Sequence, residues 1–136
     1  MKHTTNYTNT FIEVADDCPV SQAETPPEKK IKTLAELQYE QIMKNPYHYT
    51  SDDIIFECYA LKNDIPESEK QLARIQFFSK GQPCLRSSPL SKRYGFGTHH
   101  NDEGKVAIFP VESKEYQKFL NDPTVKKVKA MRSKKI

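Results

Sequence analysis

Cysteine is scarce in this chain of 136 residues, and its three thiols, Cys18, Cys58 and Cys84, lie 40 and 26 residues apart. An odd count with no closely spaced pair excludes a disulfide framework and a zinc knuckle, both of which need paired cysteines. Reduced thiols are the default, and they fit a cytoplasmic setting. Long apolar runs are missing too. The opening "MKHTTNYTNT" carries no hydrophobic segment of the kind a secretory signal requires. No stretch elsewhere approaches the roughly 20 apolar residues that cross a bilayer. The expectation is a soluble cytoplasmic protein with no membrane partner. Apolar residues make up only 36% of the chain, against 29% charged, but seven Tyr and seven Phe oppose disorder. Chains that stay unfolded are poor in aromatics, and this length suits one domain spanning residues 1–136.

Acid is absent from the C-terminal end. Between Val125 and Ile136 lie Lys126, Lys127, Lys129, Arg132, Lys134 and Lys135, six of the 21 basic residues, with no Asp or Glu. Positions 1–124 then hold 15 basic residues against 18 acidic ones, a net charge near −3. A basic nucleic-acid-binding face over the whole body is therefore not indicated. Only the tail, residues 124–136, offers phosphates a cationic run, through Lys126–Lys135.

Local signals divide the rest. "TFIEVA" (Thr10–Ala15) is rich in strand formers, and the proline-rich residues 16–32 follow as a surface loop. Thr33 and Glu36 form the capping box of a helix with a stripe of Ala35, Tyr39, Ile42 and Met43, which Asn45-Pro46 ends. Residues 52–62 read as a helix capped by Thr50 or Ser51, with Asn63 closing it in a left-handed conformation, although "IIFECY" also suits a buried strand. A further helix spans Pro66–Ser79, burying Leu72, Ile75 and Phe78. From Cys84 the period falls towards two. Strands are expected at Cys84–Ser88, Arg93–His100 and Lys105–Val111, the last two joined by "NDEG" with Gly104 in the turn, and Ser113 caps a final helix.

Glycine is also rare, four in all, yet two flank Phe96 in "RYGFGTHH". Alternation along a strand puts Tyr94, Phe96, Thr98 and His100 on one face and Gly95, Gly97 and His99 on the other. The glycines strip one face to backbone, so something must approach it closely. The candidates are a covering helix or the Phe77–Phe78 aromatics, or else a ligand or partner. This GxG lacks the third glycine and following helix of a nucleotide loop, so no cofactor is called for. His99 and His100 point to opposite faces and cannot share a metal, and His48 sits in the aromatic turn "PYHY"; no metal site is expected.

"KGQPCLRSSPLSKRYG" holds no acid. Arg86 and Arg93, with Ser87, Ser88 and other hydroxyls, can hold an anion through charge-assisted hydrogen bonds, unless Arg86 pairs with a carboxylate of the acidic body. Cys84 can be a nucleophile only beside a base, for which His100 is the candidate; otherwise it is a buried inert thiol.

"TNTFIEVADDCP", "YTSDDIIF", "FFSKGQPCLRSSPLSKRYGFGTHHNDEGKVAIFPVESKEY" and "KKVKAMRSKK" together resemble a family of small, mainly bacterial proteins that form a domain of unknown function. Relatives commonly carry Trp in place of Phe96. The resemblance implies a stand-alone domain and supplies no catalytic residue. The reading is thus an α+β fold: a small antiparallel sheet of about four strands with three or four helices packed on one face. Two functions fit it. One is a non-catalytic binding module for an anionic small molecule or protein partner. The other is a small enzyme with a pocket around Cys84, Arg86 and His100.

Overall fold

The computed structural model describes residues 3–133. The α+β class and the number of strands, four, are as expected. Thr10–Glu13 forms β1, and Phe96–His100 and Val106–Pro110 form the β2–β3 hairpin. Its loop turns on Gly104 at φ +77, where a side chain would be strained. β1 lies antiparallel to β2, with Phe11 opposite His99 and Ile12 opposite Thr98. The fourth strand, β4 (Lys126–Lys129), runs parallel to β1 with Val128 opposite Ile12, giving the order β3-β2-β1-β4.

That strand corrects two expectations. The sheet is mixed rather than wholly antiparallel, and its fourth member comes from the lysine-rich segment. Cys84–Ser88 is no strand: Leu85–Ser87 is a 3₁₀ turn, and the Ser88 hydroxyl accepts from the Leu90 N–H at the start of the following helix. An edge strand full of lysine is chemically sensible, because charged side chains keep an open edge from pairing with other chains. Of the basic tail, Lys134, Lys135 and Ile136 lie outside the described residues.

The helices follow their caps. α1 (Leu34–Lys44) opens on the Thr33–Glu36 capping box and α2 (Ser51–Lys62) on a second one, between Thr50 and Asp53. Asn63 does not take the left-handed conformation; Asp64, one residue later, does, at φ +51. A 3₁₀ turn (Glu67–Glu69) leads into α3 (Lys70–Phe77), α4 (Pro89–Lys92) is a single turn, and α5 (Lys114–Asn121) starts at the Ser113 hydroxyl.

Helices cover both faces of the sheet, not one. Ile12, Phe96, Val106 and Ile108 pack with Ile42 of α1 and Ile54 of α2 in the main core. Their strand neighbours Phe11 and Phe109 face the other way, where α5 brings Tyr116 and Phe119. α3 contributes Ala73 and Phe77, and Phe78 just beyond its end, to a third cluster with Phe56 and Ala60. Leu72 and Ile75 are not its buried stripe: they are 63% and 65% exposed.

Asp52 ties the N-terminal segment to α2. Its Oδ1 accepts from the Thr5 N–H and hydroxyl, both at 2.7 Å, and its Oδ2 from the Thr4 hydroxyl at 2.6 Å. The Asp52 N–H donates to Asn6 Oδ1 at 2.9 Å. Removing a buried, fully hydrogen-bonded carboxylate strands several donors. Asp52→Ala should therefore lower stability by about 2 kcal/mol and deprotect the Thr5 amide to hydrogen exchange, which urea melts and exchange would read.

Candidate functional site

The chain from Cys84 to Arg93 is fixed by two apolar anchors, Leu85 and Leu90, each 1% exposed in the main core. The tight turn between them directs Arg86 away from the core. The Arg86 Nε–H donates to the Lys129 carbonyl at 2.7 Å, and the Met131 N–H donates to the Arg86 carbonyl at 2.8 Å. The guanidinium is thus oriented by backbone. Among the described residues no carboxylate forms an ion pair with it, so the alternative in which Arg86 serves an acid of the body is not realised.

Tyr7 brings the other candidates together. Its hydroxyl is hydrogen-bonded to Cys84 Sγ at 3.4 Å, and its ring meets His100 edge to face with centroids 5.4 Å apart. Burial and the neighbouring Cys84 push the Tyr7 phenol above its usual range, while the guanidinium of Arg86 beside it works in the opposite direction. Cys84, Arg86 and His100 are therefore gathered around one phenol. Nothing in the polar opening of the sequence marks that tyrosine. Its placement rests on the Asp52 clamp a few residues earlier, a contact between distant segments.

His100 is fully buried, and neither ring nitrogen has a hydrogen-bond partner among the described residues. Burial pulls its pKa down to about 4; the backbone of Thr98 and Thr10 acts in the opposite direction and neighbouring His99 in the same one. At neutral pH the ring carries no charge, which leaves Arg86 as the cation of the group. The hydrogen bond between His100 and Cys84 that nucleophilic catalysis would need is not formed; the thiol's partner is the phenol.

The remaining candidates divide. The buried Ser88 hydroxyl donates to Gln38 Oε1 at 2.5 Å, and the Ser87 hydroxyl donates to the Met131 sulfur at 3.1 Å. Both serines and Cys84 line a cavity of about 240 Å³ whose other walls include Ile55, Tyr59 and Phe77. Arg93 is exposed and stands elsewhere, in a shallow depression with Asp17, Pro19 and Ser133. Cys58 also lines the 240 Å³ cavity, and burial raises its thiol to about 12, an inert group.

The glycine strip is packed. Gly95 lies outside the strand at φ +82, close to Val20 and Ala23, so it does not share a face with Gly97. Gly97 is covered by the rings of Phe11 and Tyr116, not by Phe77 and Phe78. His99, on the Gly97 side, stacks on Phe119 at 4.1 Å and is hydrogen-bonded to the Tyr47 hydroxyl at 2.9 Å through Nδ1. The two histidines do face apart. Among the described residues no three His, Cys, Asp or Glu side chains are grouped to hold a metal ion, and no helix is long and apolar enough to cross a membrane.

Residues 2–136 match the model of one family, described as a family of unknown function (DUF6157). No curated protein and no solved structure matches the chain.

Proposed function

We propose, for a chain that belongs to the DUF6157 family of unknown function over residues 2–136, that it is a non-catalytic binding module holding a small anionic ligand at Arg86. One observation carries the reading: a guanidinium oriented by the Lys129 carbonyl, with no carboxylate against it among the described residues. Arginine presents donors in a planar fork that suits carboxylate or phosphate oxygens. The Tyr7 hydroxyl and the Cys84 thiol stand beside it, and the one that accepts in their mutual hydrogen bond keeps a weaker donor for the ligand. Neutral His100 supports the phenol from behind. The rival enzyme built on Cys84, Arg86 and His100 has the right residues in one neighbourhood but lacks the thiol–imidazole contact.

Titration with inorganic phosphate tests the proposal. At tenfold excess over Kd, a ligand that binds only the folded state stabilises it by about 1.4 kcal/mol. The wild type should gain that much in urea melts, and Arg86→Ala should gain nothing. Without phosphate, Arg86→Ala should lose about 1 kcal/mol, the worth of its hydrogen bond to Lys129, rather than the 3–5 kcal/mol lost on breaking a buried ion pair. Equal phosphate stabilisation of both proteins would refute the assignment.

A further inference from the structure

α3 turns half-buried Ala73 and Phe77 inward, with buried Phe78 just beyond its end, and leaves Leu72 and Ile75 outward, 63% and 65% exposed. On a helix, residues at spacings of four, three and four form one straight seam, the pattern by which paired helices interlock. Ser68, Leu72, Ile75 and Ser79 have that spacing and all four are exposed; Leu72 and Ile75 lie on α3 itself, Ser68 in the 3₁₀ turn that leads into it and Ser79 in the turn that follows. Small hydroxyl residues at both ends and two large apolar residues in the middle make a face suited to another helix. Beside it runs a groove of about 760 Å³, walled by Tyr59, Ile65, Leu72, Gln76 and Lys80 among others.

From this geometry we infer that α3 is a self-association surface, and that its occupant is α3 of a second copy of this chain, packed antiparallel about a two-fold axis. Charge distribution selects that partner. Such an axis, passing between Leu72 and Ile75, sets Leu72 of each copy against Ile75 of the other and Ser68 against Ser79. The same two-fold brings the acidic turn with Glu67 and Glu69, at the start of one α3, towards Lys80, which follows the end of the other. A parallel pair would instead bring Glu67 and Glu69 against themselves. Antiparallel packing also opposes the two helix dipoles. An isologous contact needs one surface to complement itself, and this face does. The seam alone is short of the ~800 Å² per partner that stable interfaces bury. The groove wall with Tyr59 must therefore contribute, and the dimer is weak and concentration-dependent.

Sedimentation equilibrium on the full chain provides the test, since Leu72 and Ile75 are exposed and can be changed without disturbing the core. The mass should rise with concentration towards that of two chains. Leu72→Glu and Ile75→Glu should each weaken association at least about tenfold while leaving the thermal midpoint of the monomer unchanged. Glu67→Lys should weaken it as well, and adding Lys80→Glu should restore it. The Glu67 carboxylate also reaches Lys70 of its own chain at 3.0 Å, but loss of that contact cannot be rescued at Lys80. A wild type that stays monomeric throughout, a dimer indifferent to Leu72→Glu, or a double charge swap without rescue would each overturn the inference. A monomer that captures a different protein through this face would overturn it too.

Discussion

Gly97→Val should destabilise the protein by roughly 4 kcal/mol or more, at the upper end of what overpacking produces. The backbone is not the reason, since Gly97 lies within the extended strand β2. Space is. A Cβ at Gly97 would lie 2.6 Å from Tyr116 Cε2 and 2.9 Å from its Cδ2, and would also collide with the end of the Phe11 ring. Neither ring can yield cheaply. Phe11 is fully buried, edge-on to Tyr116 at 4.9 Å and stacked on Phe119 at 5.1 Å. Tyr116 is held at its far end, where its hydroxyl accepts from the Val14 N–H at 2.9 Å. Relief of the clash therefore requires β1 or α5 to move off the sheet. Gly81→Ala is the control, because the nearest atom to a Cβ there is His3 Nδ1 at 3.9 Å; that variant should melt like the wild type. Paired urea melts decide the matter, and a Gly97→Val protein as stable as the wild type would refute the packing argument.

The helix starts and the hairpin were legible in the sequence because their causes are local. Thr33 with Glu36, Thr50 with Asp53 and Ser113 each satisfy a backbone N–H within a few residues, and Gly104 supplies its own turn. Three features were not legible, for one shared reason. "CLRSS" has strand composition, but its apolar anchor Leu85 fits the core from a 3₁₀ turn, and the place beside β1 goes to Lys126–Lys129. Lysines carry no strand signal, so β4 depends on a partner more than a hundred residues away. In α3 the neighbours Phe77 and Phe78 are compatible with two different buried faces, and packing on Phe56 selects the one that leaves Leu72 and Ile75 outside. The site divides the same way. Arg86 and Cys84 stood out by chemical type, whereas Tyr7 becomes part of it only through the hold of Asp52 on Thr4 and Thr5.

Acid should weaken the fold by about 3 kcal/mol through His100 alone, between pH 6.5 and pH 4. In the folded protein burial lowers this histidine to about 4 from an ordinary value of 6.5. A depressed histidine means that the unfolded chain takes up the proton first. The stability that neutral His100 lends is therefore complete above pH 6.5, declines as the pH falls through the window, and is gone below about pH 4. His99 is lowered in the same direction by burial and adds a slope of its own. Asp53 behaves as a depressed carboxylate: burial opposes its charge, but the Thr50 N–H and Arg74 hold it below its usual range, so its contribution vanishes at still lower pH. The difference between wild type and His100→Phe isolates the one group. Phenylalanine keeps an aromatic ring beside Tyr7 and removes two ring nitrogens that have no partner among the described residues. Near pH 7 the variant should be at least as stable as the wild type, because an unpartnered buried polar group is unfavourable. Towards pH 4 it should become the more stable of the two by about 3 kcal/mol. Urea melts across that range, with the His100 ring proton followed by NMR, give both quantities. A difference curve flat from pH 7 to pH 4, or a His100 midpoint near 6.5, would show that the ring is solvated, and with it the packing of the Tyr7 ring on His100 would fail.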